Sequence, residues 1–129
     1  MSLVQGNSFV AQANGQYLMA FNGMDSTTYF MRTSASLTAG WSAPRPLALD
    51  ARVNYGDSEN LLVLGDGTLR FYISNGNALR KVMWCVDSSD GGVTWSEPRS
   101  VTFEGFGPDG VNWAQLVRIS DADALATLT

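Results

Sequence analysis

Residues 88–95 read SSDGGVTW, between the apolar run VMWCV and the proline-containing run SEPRSV. Short Ser and Asp side chains accept hydrogen bonds from backbone N–H groups two or three residues ahead, and paired glycines supply the positive φ angles of a tight reversal. The flanks are rich in β-branched and aromatic residues, so the unit predicts strand, turn, strand. Trp95, just past the turn, is placed to lay its ring across the end of a sheet and send its Nε1–H to a backbone carbonyl. Its truncation to Ala is expected to cost about 3–5 kcal/mol.

Working outward, the surroundings of this octet recur. GWSAPRPL at 40–47 and TWSEPRSV at 94–101 share Trp, Ser, Pro and Arg, 54 residues apart. VAQANGQYLMAF at 10–21 resembles VLGDGTLRFYI at 63–73, with Gly15 answering Gly67 at a spacing of 52. A third, partial copy runs through WAQLVRISDADALATL. Repeats of this length indicate stacked supersecondary units. The strands are expected near 8–12, 16–22, 27–33 and 41–48, then 60–64, 68–74, 79–87 and 95–102, then 114–119 and 123–128. No segment carries a sustained helical period, so the chain reads as all-β.

The octet resembles, at every defined position, the Asp box of the sialidase (BNR) superfamily, here Ser88, Asp90, Gly92, Thr94 and Trp95. That resemblance implies a β-propeller of four-stranded antiparallel blades, with the box joining the third and fourth strands on the outer rim. The first copy, SASLTAGW, keeps Ser34 and Trp41 but has Ser36 and Thr38 where the box has Asp and Gly. The map is one propeller-type domain over 1–129, with blade one at about 8–48, blade two at about 60–102 and a half-blade at about 113–129. About two and a half blades leave apolar faces and strand edges exposed. A ring closed by sister copies, as a dimer or trimer, is the expectation, with a piece of a longer propeller as the alternative.

Composition limits the chemistry. Of 129 residues 45% are hydrophobic and 16% charged, below the usual quarter, as suits a folded sheet-rich domain. A net charge of −4 argues against nucleic acid, whose phosphates need a basic face. No run of about 18 apolar residues is present to span a membrane, and no signal-peptide pattern opens the chain, which leaves secreted and cytoplasmic placement both open. Cys85 is the sole cysteine and sits in an apolar run, which favours an inert buried thiol. The absence of His excludes a Ser-His-Asp triad, a Cys-His dyad and His-ligated zinc. Neither a metal nor a cofactor is called for.

Propellers bind ligands at the mouth of the central channel. The loops expected there, 22–27, 49–60, 74–80 and 103–113, carry Asp25, Arg52, Asn54, Tyr55, Asn112 and Trp113. Amides and carboxylates hold hydroxyls and aromatic rings stack on sugar faces, so these are the candidate residues for a carbohydrate ligand. A glycosidase needs two carboxyl groups across the scissile bond. Asp57 and Glu59, two apart on an extended strand with Cα atoms about 6.6–7 Å apart, are the candidate catalytic pair. Acidic residues ahead of a strand are, however, most often solvated loop residues.

The first copy is also similar, through its SxSLxxGW turn, to the five-bladed arabinosidase and xylosidase propellers, whose chemistry implies an Asp base and a Glu acid. Both resemblances imply a carbohydrate module, either an exo-glycosidase or a lectin. No Arg-Ile-Pro stretch supplies the first arginine of a sialidase triad, so an incomplete catalytic set is expected. A non-catalytic interaction scaffold is the alternative, because the fold does not dictate its use.

Overall fold

A computed structural model describes residues 5–23, 28–53, 58–77, 80–101, 114–118 and 124–128. Among them are ten strands and no helix. β1 (Gln5–Ala11), β2 (Tyr17–Asn22), β3 (Tyr29–Ser34) and β4 (Arg45–Pro46) form one sheet. β5 (Ser58–Val63), β6 (Leu69–Asn77), β7 (Arg80–Ser88) and β8 (Arg99–Val101) form a second. β9 (Ala114–Arg118) pairs with β10 (Ala124–Leu128). Every pairing is antiparallel between neighbours in sequence, and β1 lies against β5 as β5 lies against β9. This is the arrangement of propeller blades, with first strands innermost.

The 52–54 residue repeat is visible bond for bond. Tyr17 faces Ser34 as Leu69 faces Ser88, and Met31 faces Arg45 as Cys85 faces Arg99. Ser42 Oγ accepts the Thr33 N–H at 3.0 Å, and Ser96 Oγ accepts that of Asp87 at the same distance. The fourth strands are shorter than expected, two and three residues. Ser42 and Ser96 tie their segments to the third strand through the hydroxyl, and Pro44 and Pro98 have no N–H to donate to a ladder. Pro46 is accommodated on the edge strand β4.

One apolar core joins the first two blades. Leu18, Ala20, Tyr29, Met31 and Leu47 from the first sheet meet Leu61, Leu69, Phe71, Ile73 and Val86 from the second, all buried, with Val53 closing the connection. Tyr29 meets Phe71 edge to face at 5.4 Å, and Phe71 packs on Trp95 at 5.9 Å. A smaller cluster, Tyr72, Met83 and Cys85 with Leu62 and Val101, lies on the other face of the second blade.

The octet folds as its residue types demand. Ser88 Oγ donates to Asp90 Oδ1 and accepts from the Gly92 N–H at 2.8 Å. The Asp90 carboxylate accepts from the N–H groups of Val93 and Thr94 and from the Thr94 hydroxyl. Gly91 and Gly92 both sit at positive φ, 72° and 83°. One expectation fails: the buried Trp95 Nε1 has no acceptor among the described residues. The ring is drawn inward against Phe71, whereas Trp41, its counterpart in the looser first turn, donates to the Leu37 carbonyl at 3.3 Å.

Candidate functional site

The strand directions divide the blades into two ends. Gln5 faces Asn22 and Ser58 faces Ser74, so the starts of β1 and β5 lie at the same end of their sheets as the last residues of β2 and β6. The box turn and the β1–β2 and β5–β6 turns lie at the opposite end. The loop residues 24–27, 54–57, 78–79 and 103–113 lie outside the described residues. The inner strands are tied at mid-strand by the Leu61 N–H, which donates to Ser8 Oγ of the neighbouring blade at 2.7 Å.

Of the candidate residues, Glu59 stands in β5 opposite Ile73, one residue into the strand. Its partner in the proposed pair, Asp57, lies outside the described residues, as do Asp25, Asn54, Tyr55, Asn112 and Trp113. Arg52 is described, and it is engaged. Its Nε donates to Asp50 Oδ1 at 2.8 Å and its NH2 to Glu97 Oε2 at 2.6 Å. Glu97 precedes the outermost strand of the second blade, so Arg52 fastens the crossing segment to that blade's outer edge. A ligand anion at Arg52 would compete with both carboxylates.

Four of the described carboxylates are held ionised by their hydrogen-bond partners. Hydrogen bonding from Arg52 holds the Asp50 carboxyl down at about 2. The Thr94 hydroxyl and N–H hold Asp90 at about 2. The Thr68 N–H lowers Asp66, and the Arg70 guanidinium, donating to both oxygens at 2.8 and 2.9 Å, lowers Asp87. A general acid needs the reverse shift. Burial pushes the Cys85 thiol up to about 11, which makes it a poor nucleophile. Among the described residues no group of three His, Cys, Asp or Glu is placed to hold a metal ion, and no helix is long and apolar enough to cross a membrane.

What sequence reading missed is the seam between blades. Arg45 on β4 reaches the second blade's box, donating to the Gly91 carbonyl at 2.8 Å and the Gly92 carbonyl at 3.1 Å. The repeat marked Arg45 and Arg99 as equivalent, but the acceptors become visible only once the blades are stacked.

No protein-family model and no curated protein matches the chain. Solved structures do. A protein of unknown function from Dyadobacter fermentans superposes with a TM-score of 0.66 at 18% identity, over 92% of this chain and 32% of that one. The alpha-L-arabinanase of Penicillium chrysogenum, solved with arabinobiose, gives 0.60 at 16% identity over 89% and 38%. The GH93 alpha-L-arabinofuranosidase of Fusarium graminearum, also with arabinobiose, gives 0.59 at 14% over 89% and 37%. The chain has a β-propeller fold. It spans about a third of the length of the structures it matches, and its likeness is to glycoside hydrolase propellers at the level of fold.

Proposed function

We propose that this chain is part of a glycoside-hydrolase-related propeller that binds carbohydrate at the end where β5 begins, with arabinose-containing glycans as the ligand class. The observation that carries this reading is the superposition of nearly nine tenths of the chain on two fungal enzymes whose bound ligand is arabinobiose. Asp57 and Glu59 at the start of the innermost strand are the proposed carboxylate pair. Asp25, Arg52, Asn54, Tyr55, Asn112 and Trp113 are the proposed ligand-binding groups. The sialidase-type reading rests on the box octet alone, a rim feature that is silent about the sugar.

The test is calorimetric titration with arabinobiose and with sialyllactose, alongside hydrolysis of nitrophenyl arabinofuranoside. Arabinobiose binding that Asp57→Asn and Glu59→Gln both weaken supports the reading. Binding of sialyllactose alone would restore the sialidase-type reading, and binding of neither would leave an interaction scaffold.

A further inference from the structure

The β1–β2 and β5–β6 connections are the same turn with different side chains. In the first, the Gln12 N–H donates to the Gln16 carbonyl at 2.8 Å and the Gly15 N–H to the Gln12 carbonyl at 3.0 Å. In the second, the Leu64 N–H donates to the Thr68 carbonyl at 2.8 Å and the Gly67 N–H to the Leu64 carbonyl at 3.0 Å. Gly15 and Gly67 sit at φ 82° and 87°. The residue before each glycine accepts the same bond: Asn14 Oδ1 from the Gln16 N–H at 3.0 Å, Asp66 Oδ1 from the Thr68 N–H at 2.9 Å. The turn therefore has a place for a carboxylate oxygen where Asn14 offers an amide oxygen. Asn14 and Gly15 are exposed, and a Cβ on Gly15 would meet nothing within 4 Å, so no side chain shields the dipeptide from water.

We propose that Asn14 is a modification site: its side-chain amide is lost through a cyclic imide formed with the Gly15 backbone nitrogen, and the turn retains the resulting aspartate as the neighbouring turn retains Asp66. The Gly15 nitrogen attacks Asn14 Cγ and forms a new C–N bond. The side-chain nitrogen departs with the Gly15 N–H proton as ammonia. Water that breaks the new Cγ–N bond leaves aspartate in an ordinary backbone. Water that instead breaks the original peptide bond leaves iso-aspartate, with the chain routed through Cγ. Glycine suits the attack because it carries no side chain to hinder the ring and has the backbone freedom to close it. The folded turn is the gate, since the Gly15 N–H is engaged by the Gln12 carbonyl and the Asn14 amide oxygen by the Gln16 N–H. Two other Asn–Gly pairs occur, Asn22–Gly23 and Asn75–Gly76. Asn22 is buried and pairs with both Gln5 and Tyr29, and Asn75 and Gly76 stand opposite Val82 and Lys81 in the β6–β7 ladder. Each would have to part a ladder before reacting, whereas Asn14 needs only the hairpin tip to open. Each conversion adds one negative charge to a chain already at −4. The hairpin stands at the end of the strands away from the start of β5, so the site is independent of the carbohydrate reading.

The experiment holds the 129-residue chain at mildly alkaline pH, native and in denaturant, and follows the amide-to-acid mass gain at each Asn–Gly pair by peptide mapping. Asn14 is expected to convert first in the native chain, about tenfold or more slowly than in denaturant, because its turn bonds must open beforehand. In denaturant, Gly15→Ala should slow the conversion of Asn14. Asn14→Asp should unfold at the parent's midpoint, whereas Asn14→Ala, which lacks the accepting oxygen, should unfold below it. Conversion of Asn22 or Asn75 ahead of Asn14 would overturn the proposal, as would equal rates for Asn14 in the native and denatured chains. So would an Asn14→Asp chain that unfolds as low as Asn14→Ala, or a rate in denaturant that Gly15→Ala leaves unchanged.

Discussion

The guanidinium of Arg45 donates to the carbonyl of Gly91, 46 positions along the chain and in the next blade, at 2.8 Å. A charged donor serving carbonyls at a half-buried seam contributes more than an exposed ion pair. Arg45→Ala is expected to destabilise the fold by about 1.5–3 kcal/mol, measured by denaturant unfolding. Arg45→Lys should recover only part of the loss, because an ammonium is a point donor and cannot present the fork.

Gly91 and Gly92 are adjacent and both left-handed, yet they should answer substitution differently. A Cβ on Gly91 meets nothing within 4 Å, so Gly91→Ala pays only for its φ, about 1 kcal/mol. A Cβ on Gly92 would stand 2.9 Å from Met31 Sδ and 3.3 Å from Trp95 Cζ2. Gly92→Ala should therefore add overpacking of about 1–3 kcal/mol. Met31→Ala in the same chain should relieve that added part while exposing its own cavity cost. A double-mutant cycle on unfolding free energies checks the coupling.

Asp90 makes the turn sensitive to acid. Its carboxyl is held at about 2 against an ordinary 3.8, so its stabilisation is complete above 3.8 and disappears as pH falls toward 2. Asp90→Asn should be less stable than the parent at pH 7, and the two should converge on acidification. Midpoints recorded from pH 7 to pH 2 test this, and a constant gap between the two curves would contradict it.

Trp95 buries an indole N–H without an acceptor among the described residues, so its contribution is the ring packed on Phe71. Trp95→Phe should cost less than half of the about 3–5 kcal/mol expected for Trp95→Ala. The comparison is again one of unfolding free energies.

Much of this architecture was legible beforehand because turn chemistry is local. Ser88, Asp90 and the glycine pair bond within their own octet, and the order and pairing of strands follow from short connections between them. The short fourth strands were also written in Pro44 and Pro98, which have no N–H to donate to a ladder. What escaped reading depends on distant partners. Arg52 meets Glu97 and Arg45 meets Gly91 only after two blades have stacked. The change from Met31 to Cys85 and from Leu18 to Arg70 at equivalent positions looks like drift in the sequence, yet it makes that face of the second sheet more polar than the matching face of the first. For the candidate site, Asp57 and most of the loop residues lie outside the described residues, and the engagement of Arg52 by Asp50 and Glu97 was not readable from the sequence.

The two four-stranded sheets are consecutive blades sharing one core, joined at Met31–Gly92 and Arg45–Gly91. Native-state amide hydrogen exchange reads that union residue by residue. The amides of Ala20, Met31, Phe71 and Val86 are expected to exchange with one common opening free energy, and Arg45→Ala should lower all four together. Separate opening free energies for the two sheets, with the second unmoved by Arg45→Ala, would contradict it.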